Sequence, residues 1–94
     1  MYHFIGGNVS VTEKNRNKIT VTIHNKTYTI VGKEPKDHVL LVASLVDEKM
    51  EEINLHNKHL DTTRLAVLTA INTMNDYVKL KKEYDELIKL LEED

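Results

Sequence analysis

Asp61-Thr62-Thr63-Arg64-Leu65-Ala66-Val67-Leu68 opens a stretch that runs to Glu93 without a glycine or a proline, and its reading decides the fold. Asp61 is an N-cap residue, suited to accept a hydrogen bond from a first-turn amide, and Leu60 and Leu65 stand at the positions of a hydrophobic staple. The helix predicted from there, of about 33 residues, would be roughly 50 Å long at 1.5 Å per residue. The remainder of a 94-residue chain is too small to cover such a rod. The spacing therefore predicts a self-associating protein whose C-terminal helix, from about Leu60 to Glu93, builds an oligomer.

The apolar pattern changes along this helix. From Leu65 to Val78 most of the circumference is apolar, with Ala66, Val67, Leu68, Ala70, Ile71, Met74 and Tyr77 between them, which predicts burial on several sides. Beyond it the apolar surface narrows to Tyr77, Leu80, Tyr84, Leu87 and Leu91, spaced 3, 4, 3 and 4 as a coiled-coil seam requires, and the seam reaches back through Thr73, Ala70 and Ala66. The expected interface is Leu68, Ile71, Met74, Tyr77, Val78, Leu80, Tyr84, Leu87 and Leu91. Its proximal part predicts a homodimer core, and the distal seam either closes that dimer or joins two dimers. Lys79, Lys81 and Lys82 precede the acidic end Glu92-Glu93-Asp94, so antiparallel tails would set opposite charges side by side, whereas parallel tails would stack the acids. Asn72 is read as a buried, register-setting polar residue and Asn75 as facing solvent.

Toward the N-terminus the period shortens. Ile19, Val21 and Ile23 alternate with Thr20, Thr22 and His24, the two-residue period of a half-buried strand. Asn25 and Lys26 are the expected hairpin loop, with a return strand over Thr27 to Val31. After Gly32, Pro35 suits the first turn of a helix that continues to about Asn54. Val39, Val42, Ala43, Val46, Met50 and Ile53 form its buried stripe, while Leu41 and Leu45 lie off it, either as exposed leucines or as a second contact surface. Asn57 is placed to end this helix in the left-handed conformation. The fold class is α+β: a flexible tail over 1–18, in which Val9 and Val11 offer at most a short strand, a β-β-α head over 19–60, and the long oligomerising helix over 61–94.

Residues 1–35 carry five bases against two acids, residues 36–60 three against five, and residues 61–94 five against eight, so a mildly basic head sits on an acidic body. Nothing resembles the dense basic surface of a nucleic-acid binder. The absence of cysteine excludes disulfides and thiolate chemistry, and no run approaches the ~20 apolar residues of a membrane span. The chain is read as cytoplasmic, with no nucleic-acid or membrane partner. His56-x-x-His59, with Asp61 as a third group, is the best metal candidate, but the histidines lie in a linker and no His-Glu-x-x-His arrangement exists. With no nucleophilic triad and no glycine-rich phosphate loop, the expectation is a non-enzyme with no metal and no cofactor.

The run Leu65-Ala66-Val67-Leu68-Thr69-Ala70-Ile71-Asn72 and the following Asp76-Tyr77-Val78-Lys79-Leu80 resemble the helix signature of the ZapA family of bacterial cell division, in its Gram-positive form. Tyr28-Thr29-Ile30-Val31-Gly32 and Val42-Ala43-Ser44-Leu45-Val46-Asp47-Glu48-Lys49-Met50 are similar to it as well, and the likeness covers about Lys18 to the end. The resemblance implies a homodimer that pairs through antiparallel tails into a tetramer, located at the mid-cell division site. It also implies binding to polymers of the tubulin-like GTPase FtsZ, which such an assembly bundles. Lys26 and Lys58, with Arg64 nearby, match basic positions that the family associates with FtsZ contact, and a basic head edge suits an acidic polymer. The extension Met1 to Asn17 departs from the family's short N-terminus. The alternative reading is a generic dimeric or tetrameric adaptor with another protein target.

Overall fold

The computed structural model describes residues 2–3 and 17–93. Its elements are β1 (Tyr2–His3), β2 (Asn17–Ile23), β3 (Lys26–Gly32), α1 (Lys36–His56) and α2 (Thr62–Glu92). β2 and β3 form an antiparallel hairpin, and β1 adds a two-residue parallel edge to β3, pairing Tyr2 with Ile30 and His3 with Val31. The segment expected as a tail thus contributes β1, and its last residue, Lys18, lies in β2. Val9 and Val11 lie outside the described residues.

The hairpin loop is His24–Asn25, one residue earlier than expected, and Lys26 is the first residue of β3, paired with Ile23. Both loop residues have positive φ, 52° and 63°, the requirement of a tight I′ turn whose twist matches the strands. Asn tolerates this conformation well, and His24 is held in it from outside: its backbone N–H donates to Asp47 Oδ1 of α1 at 2.7 Å. The turn is therefore tied to the helix behind it.

Ile19 and Val21 are buried and Ile23 half-buried on one face of β2, against Val39 and Ala43 of α1. Tyr28 and Ile30 share that face on β3 but stay half-buried, because α1 packs mainly along β2. Pro35 stands as the N-cap of α1 in an extended conformation, just outside the first turn. Four of the six stripe residues, Val39, Ala43, Met50 and Ile53, are buried, and Val42 and Val46 are half-buried at its margin.

α1 ends at Asn57 with φ −141°, not in the left-handed region. There the Asn57 N–H donates to Asn54 O and its Nδ2 to Ile53 O, so hydrogen bonds on the helix's last carbonyls close the end without a left-handed residue. After Leu60, Asp61 caps α2: its Oδ1 accepts from the Arg64 N–H at 2.8 Å. Leu60 packs half-buried onto the cluster of Met50, Ile53 and Leu65, as the staple requires. Ile23 joins the same cluster, which brings the hairpin tip to the end of the head where α1 passes into α2.

Candidate interaction surfaces

One side of α2 belongs to the head. Leu65, 1% exposed, and Thr69 are its buried residues, and Leu68 and Asn72 are half-buried beside them. Thr69 Oγ1 donates to Leu65 O and Asn72 Nδ2 donates to Leu68 O, so both polar side chains are satisfied on their own helix. Asn72 is only partly buried, and its amide is already committed to the backbone one turn earlier. Asn75 is exposed.

The rest of α2 has little cover among the described residues. Of the expected interface, Leu68 is half-buried against the head, while Ile71, Met74, Tyr77, Val78, Leu80, Tyr84, Leu87 and Leu91 are exposed, from Val78 at 43% to Leu91 at 72%. The proximal half is thus covered on one side by its own head and open elsewhere. At 100° per residue the exposed side chains fall into two stripes roughly 130° apart. The first is Tyr77, Leu80, Tyr84, Leu87 and Leu91; the second is Val67, Ile71, Met74 and Val78. Together they form a contiguous apolar surface rather than a scatter of surface residues.

Lys49 Nζ and Asp76 Oδ2, 2.9 Å apart, link α1 to α2 and form the one salt bridge among the described residues. The hydrogen bond that Lys49 donates to Asp76 Oδ2 and the charge of that carboxylate hold the ammonium above its ordinary pKa. Spacing along the chain gives no sign of this pair, which lies 27 residues apart in sequence. Beside it, α1 and α2 frame a groove lined by Val42, Leu45, Val46 and Thr73 with Glu48 and Glu52 at its margin. Leu41 and Leu45, the two leucines off the buried stripe, are more than half exposed.

Lys26 lies just after the hairpin turn, Lys58 in the turn between the helices and Arg64 in the first turn of α2, and all three are exposed. Because Ile23 draws the hairpin tip against the start of α2, the three bases belong to the same end of the head. His56 Nδ1–H donates to Glu52 O of its own helix, and no three His, Cys, Asp or Glu groups among the described residues are placed to hold a metal ion. No described helix is long and apolar enough to cross a membrane.

The fold defines a class: a small α+β head carried on a helix that runs past it with its apolar stripes uncovered. Within that class, the family described as Cell division protein ZapA matches residues 19–94. Cell division protein ZapA of Oceanobacillus iheyensis is 55% identical over 78 residues, which cover 83% of this chain and 91% of that protein. Its counterpart from a Geobacillus species is 52% identical over 81 residues, covering 86% and 93%. Among solved structures, a ZapA mutant dimer from Geobacillus stearothermophilus superposes with a TM-score of 0.67 at 42% identity, over 88% of this chain and 96% of that one. The chain belongs to the ZapA family of cell division proteins.

Proposed function

We propose that this chain self-associates through α2 and that the assembly binds polymers of FtsZ in the cytoplasm, cross-linking and bundling protofilaments at the mid-cell division site. The observation that carries this reading is the uncovered apolar length of α2, read together with family membership. The proximal part of α2 completes a dimer. The distal seam from Leu80 to Leu91 joins two dimers antiparallel, which sets Lys79, Lys81 and Lys82 of one beside the acidic end of the other. Each assembly then presents several heads, and contacts too weak to hold singly become a cross-link when two protofilaments are engaged at once.

On the head, Lys26, Lys58 and Arg64 are the proposed contacts with the acidic polymer, their exposure on one end being what supports the choice. The chain acts by binding and catalyses no reaction of its own. Co-pelleting with FtsZ and GTP tests the reading: bundles should sediment with the intact chain. Lys26→Glu with Lys58→Glu should abolish co-pelleting while leaving the oligomer intact. Undiminished bundling would refute the contact assignment, and an oligomer that never pellets with FtsZ would point to an adaptor for another protein.

A further inference from the structure

We infer that Asp47 is a positioning residue for the polymer-binding end of the head: its carboxylate fixes the hairpin turn at His24–Asn25 and so sets Lys26 on the same end as Lys58 and Arg64. The inference rests on the contact proposed above for those bases and adds what holds them in place.

The turn needs holding. His24 and Asn25 both adopt positive φ, 52° and 63°, a region that glycine enters freely and other residues enter at a cost. Neither is glycine, and the sequence offers a rival. A loop at Asn25–Lys26 would pair His24 with Thr27 and draw Lys26 out of its strand. Asp47 decides between the two. Its Oδ1 accepts the His24 backbone N–H at 2.7 Å, a charge-assisted bond from a helix that lies 23 residues further along the chain. In the rival turn that N–H would be committed to the ladder with Thr27, so the bond to Asp47 forms only when His24 is in the turn.

α1 presents the carboxylate from a fixed place. Ala43 and Met50, one turn before and one turn after Asp47, are both buried, so the helix is packed on the core at each side of it. The short Asp side chain leaves little freedom in where its oxygens reach. On the other side of the bond, Ile23 packs with Met50, Ile53 and Leu65, and Lys26 is its cross-strand partner. Partners share a face of the sheet, so Lys26 is carried on the face that meets the helices, at the end where Lys58 and Arg64 stand.

Charge and geometry act in opposite directions at Asp47, which makes its role separable. It is an acid on the end that meets an acidic polymer, so its charge opposes binding while its hydrogen bond supports it.

Co-pelleting of the full chain with FtsZ and GTP over a range of concentrations gives an apparent dissociation constant for each variant. Asp47→Asn loses the charge but keeps an oxygen for the His24 N–H, and should bind at least as tightly as the unaltered chain. Asp47→Ala loses charge and acceptor together, and should bind about three- to tenfold more weakly, because the turn that places Lys26 is no longer held. Adding His24→Asn and Asn25→Gly to Asp47→Ala should restore binding, since Asn-Gly is the preferred pair for such a turn. In parallel, the NMR contact between the Ile23 and Lys26 amides should weaken in Asp47→Ala and persist in the other two. Equal strengthening by Asp47→Ala and Asp47→Asn would make Asp47 a charge and no more, and would overturn the inference. So would a loss of binding that the Asn-Gly turn leaves unrestored, or an Ile23–Lys26 contact unchanged in Asp47→Ala. An unaltered chain that does not pellet with FtsZ would overturn the proposed contact and the inference with it.

Discussion

Replacing Leu65 with alanine separates the two tasks of α2. Leu65 is fully buried and packs with Met50 and Ile53 of α1, with Ile23, Val46, Leu60 and Leu68 around them, so it is the side chain that fastens the helix to the head. Truncating its isobutyl side chain to a methyl deletes the transfer energy of the lost carbons and leaves a cavity, and Leu→Ala changes at such sites cost about 2–5 kcal/mol. A value near 3 kcal/mol is expected, because α2 is packed from one side only and can settle part of the way into the gap. With a urea m-value of about 1–1.5 kcal/mol/M for a domain of this size, the midpoint should fall by roughly 2–3 M. Leu87→Ala is the matched control. At 54% exposure its side chain has little to lose within one chain, so its effect should appear only in the concentration dependence of the transition. Urea melts followed by circular dichroism at several chain concentrations read both variants. A loss below about 1 kcal/mol for Leu65→Ala, or equal losses for both variants in dilute, monomeric conditions, would refute the division of α2 into a head-bound side and an association surface.

Asp61→Ala removes the acceptor for the Arg64 N–H and should cost about 1 kcal/mol, read as a lower thermal midpoint. Asn25→Val places a β-branched residue at positive φ and should cost about 1–2 kcal/mol, whereas Lys26→Val, in extended β3, should cost little; equal costs in melting experiments would mean that the loop is misplaced. Because Asp76 raises the Lys49 pKa in the folded chain, the contribution of their pair is fully present below the ordinary lysine pKa and is lost as pH rises through the raised value. Asp76→Asn should therefore return the Lys49 titration, followed by NMR, downward to its ordinary range, and an unmoved titration would dissociate the shift from Asp76.

Much of this molecule is written in short-range signals. The Asp61 cap, the Leu60 staple and the absence of any helix breaker up to Glu93 set the start and length of α2, and alternation over Ile19 to Ile23 sets the hairpin and its inner face. The errors fall where the deciding partner is distant in sequence. His24 is an unpromising first turn residue until Asp47, 23 positions on, accepts its amide hydrogen bond, which moves the loop back from Asn25-Lys26. β1 depends on the backbone of β3, and two residues carry no periodicity of their own. Asn57 belongs to a helix end, but the sequence cannot tell closure by its own amide bonds from closure by a left-handed turn. The pair Lys49–Asp76 and the groove beside it follow from the packing of α1 on α2. By contrast, the position of Leu41 and Leu45 off the buried stripe of α1 and the 3-4 apolar spacing of α2 follow from the helical period alone, and those side chains are exposed.

On the proposed function, the apolar surface of α2, exposed in one copy, is covered by others. Sedimentation equilibrium of the intact chain over a wide range of concentrations measures this directly. Dimers are expected at low concentration and tetramers at higher ones, with truncation after Val78 abolishing only the tetramer. A single species of 10.9 kDa at every concentration, the mass of one chain, would contradict it.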